Sequence, residues 1–384
     1  GARASRMGHW EALSLGAGMN ARGAMEIILA TIGLSVGVLT QDMYSIIVVT
    51  AIVTSLMAPP ILRWTLGKIE MGEEEQERLE AEDRERESFV GNLKRVLLPT
   101  TGGAASRLAA RLVGKLVGGQ NVEVTVIHVR PVGGAPDEKT DEEVDAEMEE
   151  VESHLDLPSS EVRRVVRDEE GALGPVVLAE ADRGYDLLVI GTVGQRSRTG
   201  GPTFTQVVDD VIQDAPCPVL VVRATTEDAD QEEGDERAEG AESLHIHRVL
   251  LPVFGTEGDR HAAEVSFALA RDPDMVVDVV HVVKGGERRA RLSDDEAIED
   301  AREVGKDLVG KIADLGHTLG ATVHTDVIIA DHDEEAIVER AGTHVDLVVM
   351  AGSHAGLSQR AFFGHTVDYV VRNAPCPVVV IATP

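Results

Sequence analysis

One half of this chain repeats the other. RVLLPTTGG from Arg95 returns as RVLLPVFGT from Arg248, and VTVIHVRPVGG from Val124 returns as VDVVHVVKGG from Val277. YDLLVIGT from Tyr185 matches VDLVVMAGS from Val345, and DAPCPVLVVRAT from Asp214 matches NAPCPVVVIATP from Asn373. Pro99 and Pro252 lie 153 residues apart, and Cys217 and Cys376 lie 159 apart, so the copies differ only by small loop changes. A tandem duplication must find one fold that serves twice. In copy one, β-branched runs near 95–99, 124–129, 161–167, 186–190 and 218–222 alternate with helical stretches near 103–118, 141–154, 172–183 and 204–214. Continuous Val/Ile/Leu runs indicate strands buried on both faces. Strands alternating with helices predict a parallel sheet covered on both sides. The expected fold is α/β: two doubly wound five-stranded domains over 92–224 and 246–384, each with its crevice at the carboxyl ends of the strands.

The sequence outside the copies is of other kinds. Residues 1–67 hold Arg3, Arg6, Arg22 and Arg63 against Glu11, Glu26 and Asp42, a net charge of +1. The whole chain carries −31, so the remainder carries −31 − (+1) = −32. Within the first part, AMEIILATIGLSVGVL (24–39) and MYSIIVVTAIVTSLMAPPIL (43–62) are almost wholly apolar. A bilayer span needs about 20 such residues. Two transmembrane helices are expected, at about 19–39 and 43–64, with membrane contact through 19–64. Basic residues flank the outer ends, and TQD (40–42) between the runs has none. The positive-inside rule then places 92–384 in the cytoplasm. Two long spans without a cleavage pattern do not make a signal peptide. Residues 68–91 read as a charged helical connector without an apolar stripe. Residues 225–245 read as an acidic linker.

Composition excludes some functions. A strongly acidic field repels nucleic acid and anionic lipid. Among 36 basic residues only seven are Lys, a balance that suits molar salt, where screening reaches about 3 Å. Cys217 and Cys376 are expected as small buried thiols, with no disulfide framework or zinc site. No Ser/His/Asp triad or paired-carboxylate spacing stands out, so no enzyme activity, catalytic residue or metal is expected.

Residues 16–62 resemble the final two transmembrane helices of monovalent cation/proton antiporters. The resemblance rests on a Gly-Met-x-x-Arg-Gly-x-x-Glu entry, an Ile-Gly pair and a closing Pro. Arg22, Gly23 and Glu26 match the entry, and Arg22 and Glu26, four apart, are expected to form a structural ion pair. The resemblance implies the end of a longer transporter whose ion-binding acidic pair lies on an earlier helix, so this chain alone is not expected to transport. Residues 92–224 and 246–384 resemble the universal stress protein family through VLLP, the HV strand end, the glycine turn and APCPV. Nucleotide-binding members have an Asp after the first strand, then Gly-x-x-Gly, nine residues, and Gly-Ser or Gly-Thr. Glycines let backbone N–H groups approach phosphate at a helix N-terminus. Copy one keeps Gly191 and Gly194, with Thr101 for the Asp, Thr205 and Gln206 for the Gly-Ser step, and Pro202 in the loop. Copy two keeps Gly352 and Gly364, with Phe254 for the Asp, Ala355 for the second glycine beside Gly356, and His365 before Thr366. ATP or another adenine nucleotide is therefore expected weakly if at all, with any residual binding in copy two, and no other cofactor is implied. The resemblances together imply a regulatory or assembly module on an antiporter transmembrane core. The alternative is an ATP-binding stress sensor. The last strands, CPVLVV and CPVVVI, offer edges for an intramolecular pseudo-dimer or a homodimer.

The charge balance generates one prediction. Residues 92–384 should fold cooperatively in molar KCl and lose that fold at ~10 mM salt, where screening reaches about 30 Å. Circular dichroism and gel filtration across a KCl series measure this, and a monodisperse fold at ~10 mM would refute the halophilic reading.

Overall fold

A computed structural model describes residues 9–19, 23–66, 88–131, 140–169, 172–193, 205–225, 246–272, 274–285, 294–352 and 363–383. The chain divides into two compact units, Gly1–Arg84 and Glu85–Pro384.

In the first unit, α1 (His9–Met19), α2 (Gly23–Ser35) and α3 (Gln41–Leu66) are helical. α3 has 26 residues, about 39 Å at ~1.5 Å per residue, longer than a ~30 Å hydrocarbon core. It is the one helix among the described residues long and apolar enough to cross a membrane. Within the expected span at 19–39 the described helix is α2. α2 has only 13 residues. It stops because the N–H groups of Val38 and Leu39 fold back to the Gly33 carbonyl at 3.0 and 3.1 Å. α1, which the sequence reading leaves unassigned, packs on the end of α3. Trp10 and Trp64 meet edge to face at 5.3 Å, and Ser14 Oγ donates to Thr65 Oγ1 at 2.8 Å. Glu26 is exposed in α2, while Arg22, its expected partner, lies outside the described residues.

The second unit begins with a 3-10 turn, Val90–Asn92. Copy one then runs β1 (Arg95–Thr100), α4 (Ala104–Val117), β2 (Glu123–Pro131), α5 (Asp141–Ser153), β3 (Val162–Glu169), α6 (Leu173–Ala181), β4 (Leu187–Val193), α7 (Gln206–Asp214) and β5 (Val219–Ala224). Copy two runs β6 (Arg248–Pro252), α8 (Gly258–Leu269), β7 (Val276–Lys284), α9 (Asp294–Thr318), β8 (Thr322–Ala330), α10 (Asp333–Ala341), β9 (Leu347–Gly352), α11 (His365–Asn373) and β10 (Val378–Ala382). The expected strands and helices of copy one are present, with ends moved by a few residues.

The ten strands form one sheet in the order β3-β2-β1-β4-β5-β10-β9-β6-β7-β8. Each half is parallel, and β5 meets β10 antiparallel, with Val219 opposite Ala382 and Arg223 opposite Val378. Side chains of a strand alternate between faces. Val96 and Leu98 therefore join the core beneath α4 and α8, while Leu97 joins the core on the opposite face, beside α7 and α11. Both cores run through both copies. The buried Arg223 adds a bond across the seam, donating from Nη2 to the Ala374 carbonyl at 2.7 Å.

One repeated aspartate sets the relative start of the central strands. Asp186 Oδ2 accepts the N–H groups of Lys94 and Arg95, both at 2.9 Å. Asp346 Oδ2 accepts those of His247 and Arg248, at 2.7 and 2.8 Å. This explains why YDLL and VDLV share that residue. At the other end of β4, Gly191 lies against the start of α4. A Cβ there would sit 2.3 Å from the Ala105 carbonyl oxygen, far inside contact distance. The absent side chain lets strand and helix close together.

Gly191→Ala should therefore destabilise the second unit by about 1–3 kcal/mol, the usual cost of overpacking. Urea denaturation at fixed KCl checks it, and an unchanged midpoint would show that β4 and α4 separate freely.

Candidate strand-end sites

The carboxyl ends of the central strands carry the residues expected to touch a nucleotide. In copy two, three backbone N–H groups converge just beyond β6, the arrangement that receives an anion. The group they hold is the chain's own. Asp259 Oδ2 accepts from Phe254 N at 2.8 Å, Gly255 N at 2.6 Å and Thr256 N at 3.0 Å. Thr256 Oγ1 donates to Asp259 Oδ1 at 3.0 Å. The carboxylate is buried.

A second acidic group stands at the start of α11. Gly364 precedes this helix with φ +99°, a conformation L side chains rarely adopt, and a Cβ there would meet nothing within 4 Å. Its glycine is required by conformation. Gly352 is required by packing, since a Cβ would lie 2.5 Å from the Phe363 ring. These contacts bring Gly352, Phe363 and Gly364 together. Thr366 Oγ1 points to Asp333 Oδ2 at 2.9 Å, and Lys284 Nζ lies 3.1 Å from Asp333 Oδ1. His365 is exposed, with Nε2 3.5 Å from Glu334 Oε1; His332 Nδ1 lies 3.7 Å from the same oxygen. Burial pushes the Asp333 carboxyl up, but hydrogen bonds with Glu334, Lys284 and Thr366 outweigh it and bring the pKa down to about 2. Asp333 is thus a firm anion at neutral pH.

Copy one has a different set. The counterpart of Asp259 is Ser106, whose Oγ accepts from Thr101 N at 3.3 Å. Gly102 N donates to Thr100 Oγ1 at 3.0 Å. Leu173 and Gly174 stand at the start of α6 where copy two has Asp333 and Glu334 at the start of α10. Thr205 caps α7 with an extended backbone and no side-chain capping bond, and it is exposed. Gly194, Gly356 and Pro202 lie outside the described residues.

The fourth residues of α7 and α11 are Asp209 and Asp368, both buried. Burial raises the Asp368 pKa, Arg372 and the Phe363 N–H pull it back, and the nearby Asp209 raises it further. Asp368 Oδ1 has no hydrogen-bond partner. His281, at the end of β7, donates from Nδ1 to the Val253 carbonyl at 2.8 Å, a structural bond. Cys217 and Cys376 are buried and form no disulfide, and burial pushes the Cys217 thiol up to about 11. Among the described residues no group of three or more His, Cys, Asp or Glu is placed to hold a metal.

The sequence reading singled out the glycines and missed Asp259, Asp333 and Glu334. A signal for Asp259 was present. Thr256 and Asp259 stand three apart before an apolar run, the spacing of a helix-start box in which an acid reaches back to backbone N–H groups. Asp333 and Glu334 open a helix, where acids commonly sit, and only the fold brings Thr366 to them.

Comparison with known proteins extends these observations. Residues 2–68 match the family of sodium/hydrogen exchanger transmembrane regions. Over 53 residues the chain is 45% identical to the Na(+)/H(+)-K(+) antiporter GerN of Bacillus cereus, covering 14% of this chain and 14% of that protein's length. Over 140 residues it is 24% identical to a universal stress protein of Methanocaldococcus jannaschii, covering 36% of this chain and 82% of that one. A crystal structure of a functionally unknown protein from Pseudomonas aeruginosa PAO1 covers 77% of this chain and 94% of its own, with a TM-score of 0.50 and 13% identity, a likeness of fold. Residues 92–223 and 245–382 each match the universal stress protein family. These two blocks make up well over half of the sequence and form the two halves of the ten-stranded sheet, and the chain belongs to the universal stress protein family.

Proposed function

We propose that this chain is a regulatory or assembly module of a cation/proton antiporter, in which a pair of fused stress-protein domains is joined to antiporter-like membrane helices. The observation that carries the reading is covalent: exchanger-like residues 2–68 and the two stress-protein blocks share one chain. The length and apolarity of α3 support a first unit seated in the membrane, and in this reading the second unit lies in the cytoplasm. We assign the linkers to 68–91 and 225–245, and the antiporter core as the partner. The helices of the first unit act with that core and do not move ions alone. The β5–β10 pairing joins the two domains within the chain, and a homodimer is not required to complete either half of the sheet.

The strand-end chemistry favours this reading over an ATP sensor. Phosphate entering copy two would meet Asp259 in the backbone nest and Asp333 and Glu334 beside Thr366. Like charges brought together cost binding energy. Gly352 and Gly191 are explained by contacts with Phe363 and Ala105, without a phosphate. By charge, any residual nucleotide site belongs in copy one, the reverse of the order expected from the motifs.

Two measurements test this function. The 384-residue chain, reconstituted alone in proteoliposomes, should show no sodium- or potassium-coupled proton flux above empty vesicles. Fusion to an antiporter core should give flux that changes when residues 92–384 are removed. Independent flux from the chain alone, or fused flux insensitive to that removal, would sink the regulatory reading.

Calorimetric titration of ATP into the detergent-solubilised chain should give a Kd no tighter than about 1 mM at the strand ends of copy two. Asp333→Asn should tighten it. Micromolar binding abolished by Gly364→Val would restore the sensor reading.

A further inference from the structure

The two copies differ on their first helices, α4 and α8. In copy two, the buried Glu264 of α8 receives the segment that precedes copy one. Its Oε2 accepts from Ser88 Oγ at 3.0 Å, Phe89 N at 2.6 Å and Val90 N at 3.2 Å. Phe89 also stacks edge to face on His261 at 5.0 Å. The position of Glu264 in copy one is occupied by Arg111, on α4. Beside Arg111 lies a cavity of about 440 Å³, lined also by Lys115, His154, Asp156 and Arg271. Three permanent cations therefore face one lining acid in a chain of net charge −31. Lys115 Nζ is 3.7 Å from Asp272 on the rim. Arg271 comes from copy two and is held over the cavity by donating from Nη1 to the Gly118 carbonyl at 2.9 Å. The site is thus shared by both copies and lies away from the strand ends.

We infer that this cavity binds a small phosphate-bearing anion, and that binding is felt at residues 88–92. Its charge and its size suit a compact anion with two or more negative charges. Arg and Lys both serve such ligands, Arg through its planar fork and Lys as a point charge. A physical connection to the 88–92 segment is already made. With the Gln120 amide turned to satisfy both neighbours, its nitrogen donates to the Val90 carbonyl at 3.2 Å and its oxygen accepts from Arg271 Nη2 at 3.1 Å. An anion that draws Arg271 towards Lys115 pulls on Gln120 and so on Val90. Residues 88–91 are the last of the charged connector assigned to 68–91, so a change there acts on the stretch of chain that joins the two units. The binding itself does not depend on the antiporter reading; only the direction of the signal rests on it.

The probes are sodium pyrophosphate and AMP, titrated calorimetrically into the full 384-residue chain in detergent at constant ionic strength. Pyrophosphate should bind saturably, with affinity falling as KCl rises. Arg111→Gln and Lys115→Gln should each weaken it about tenfold or more. Lys306→Gln, on α9, should leave it unchanged. Hydrogen exchange at residues 88–92 should change on adding the anion. AMP binding of equal strength would assign recognition to a single phosphate, and AMP binding lost in Lys115→Gln would place it in the same cavity. No saturable heat by about 10 mM, undiminished affinity in both the Arg111→Gln and the Lys115→Gln chains, or unaltered exchange at 88–92 would overturn the inference. The wild-type titration and exchange remain decisive if either variant fails to fold.

Discussion

The antiparallel pairing of β5 with β10 is the constraint on which the rest of the second unit depends. Each copy alone would end in an apolar strand, VLVVRA or VVVIA, with one unpaired row of backbone groups. An open, flat, apolar edge invites aggregation. Paired with each other, both strands become central, and every residue of both is buried. The two faces of the sheet then carry cores that continue from one copy into the other. Separating the copies would expose backbone and core together, so the seam and the fold stand or fall as one.

Acidic side chains in this protein do more than keep it soluble. Asp186 and Asp346 fix the starts of central strands, Glu264 holds the segment before β1, and Asp259 fills a nest of backbone donors. In each case one carboxylate accepts from two or more donors and so ties separate stretches of backbone together. The strand ends of copy two are therefore electrostatically satisfied from within. An incoming phosphate would have to displace or neighbour carboxylates that already hold the donors it needs. The cationic cavity beside Arg111 has the opposite character, although it lies in the same acidic chain.

Most of the second unit was legible in the sequence because its signals are local and repeated. Val/Ile/Leu runs such as LLVI and VVVIA mark strands buried on both faces whatever lies around them, and the shared YD and VD steps mark a shared register. The membrane part was less legible. An apolar run has no internal mark of where a helix stops, and α2 ends through backbone bonds to Gly33 that composition does not reveal. The candidate site was legible only in its glycines. Thr366 stands beside His365 at the degraded motif, and only the fold places Asp333 against it, 33 residues away in sequence. Arg111 and Arg271 are unremarkable in their own segments, and only the packing of α4 beside the turn after α8 brings them to one cavity.

Fusing the two copies also changes what evolution can do with them. In a dimer of identical chains, any substitution at the seam appears on both sides of the axis, so a glutamate that suits one side is imposed on the other. Here a single polypeptide supplies both sides, and Glu264 and Arg111 occupy equivalent positions with opposite charge. One half holds the incoming chain through Glu264, and the equivalent position in the other half lines the cavity. Two equivalent positions in one polypeptide thus carry different side chains, a division of labour that a dimer of identical chains, with the same residue at both, would not permit.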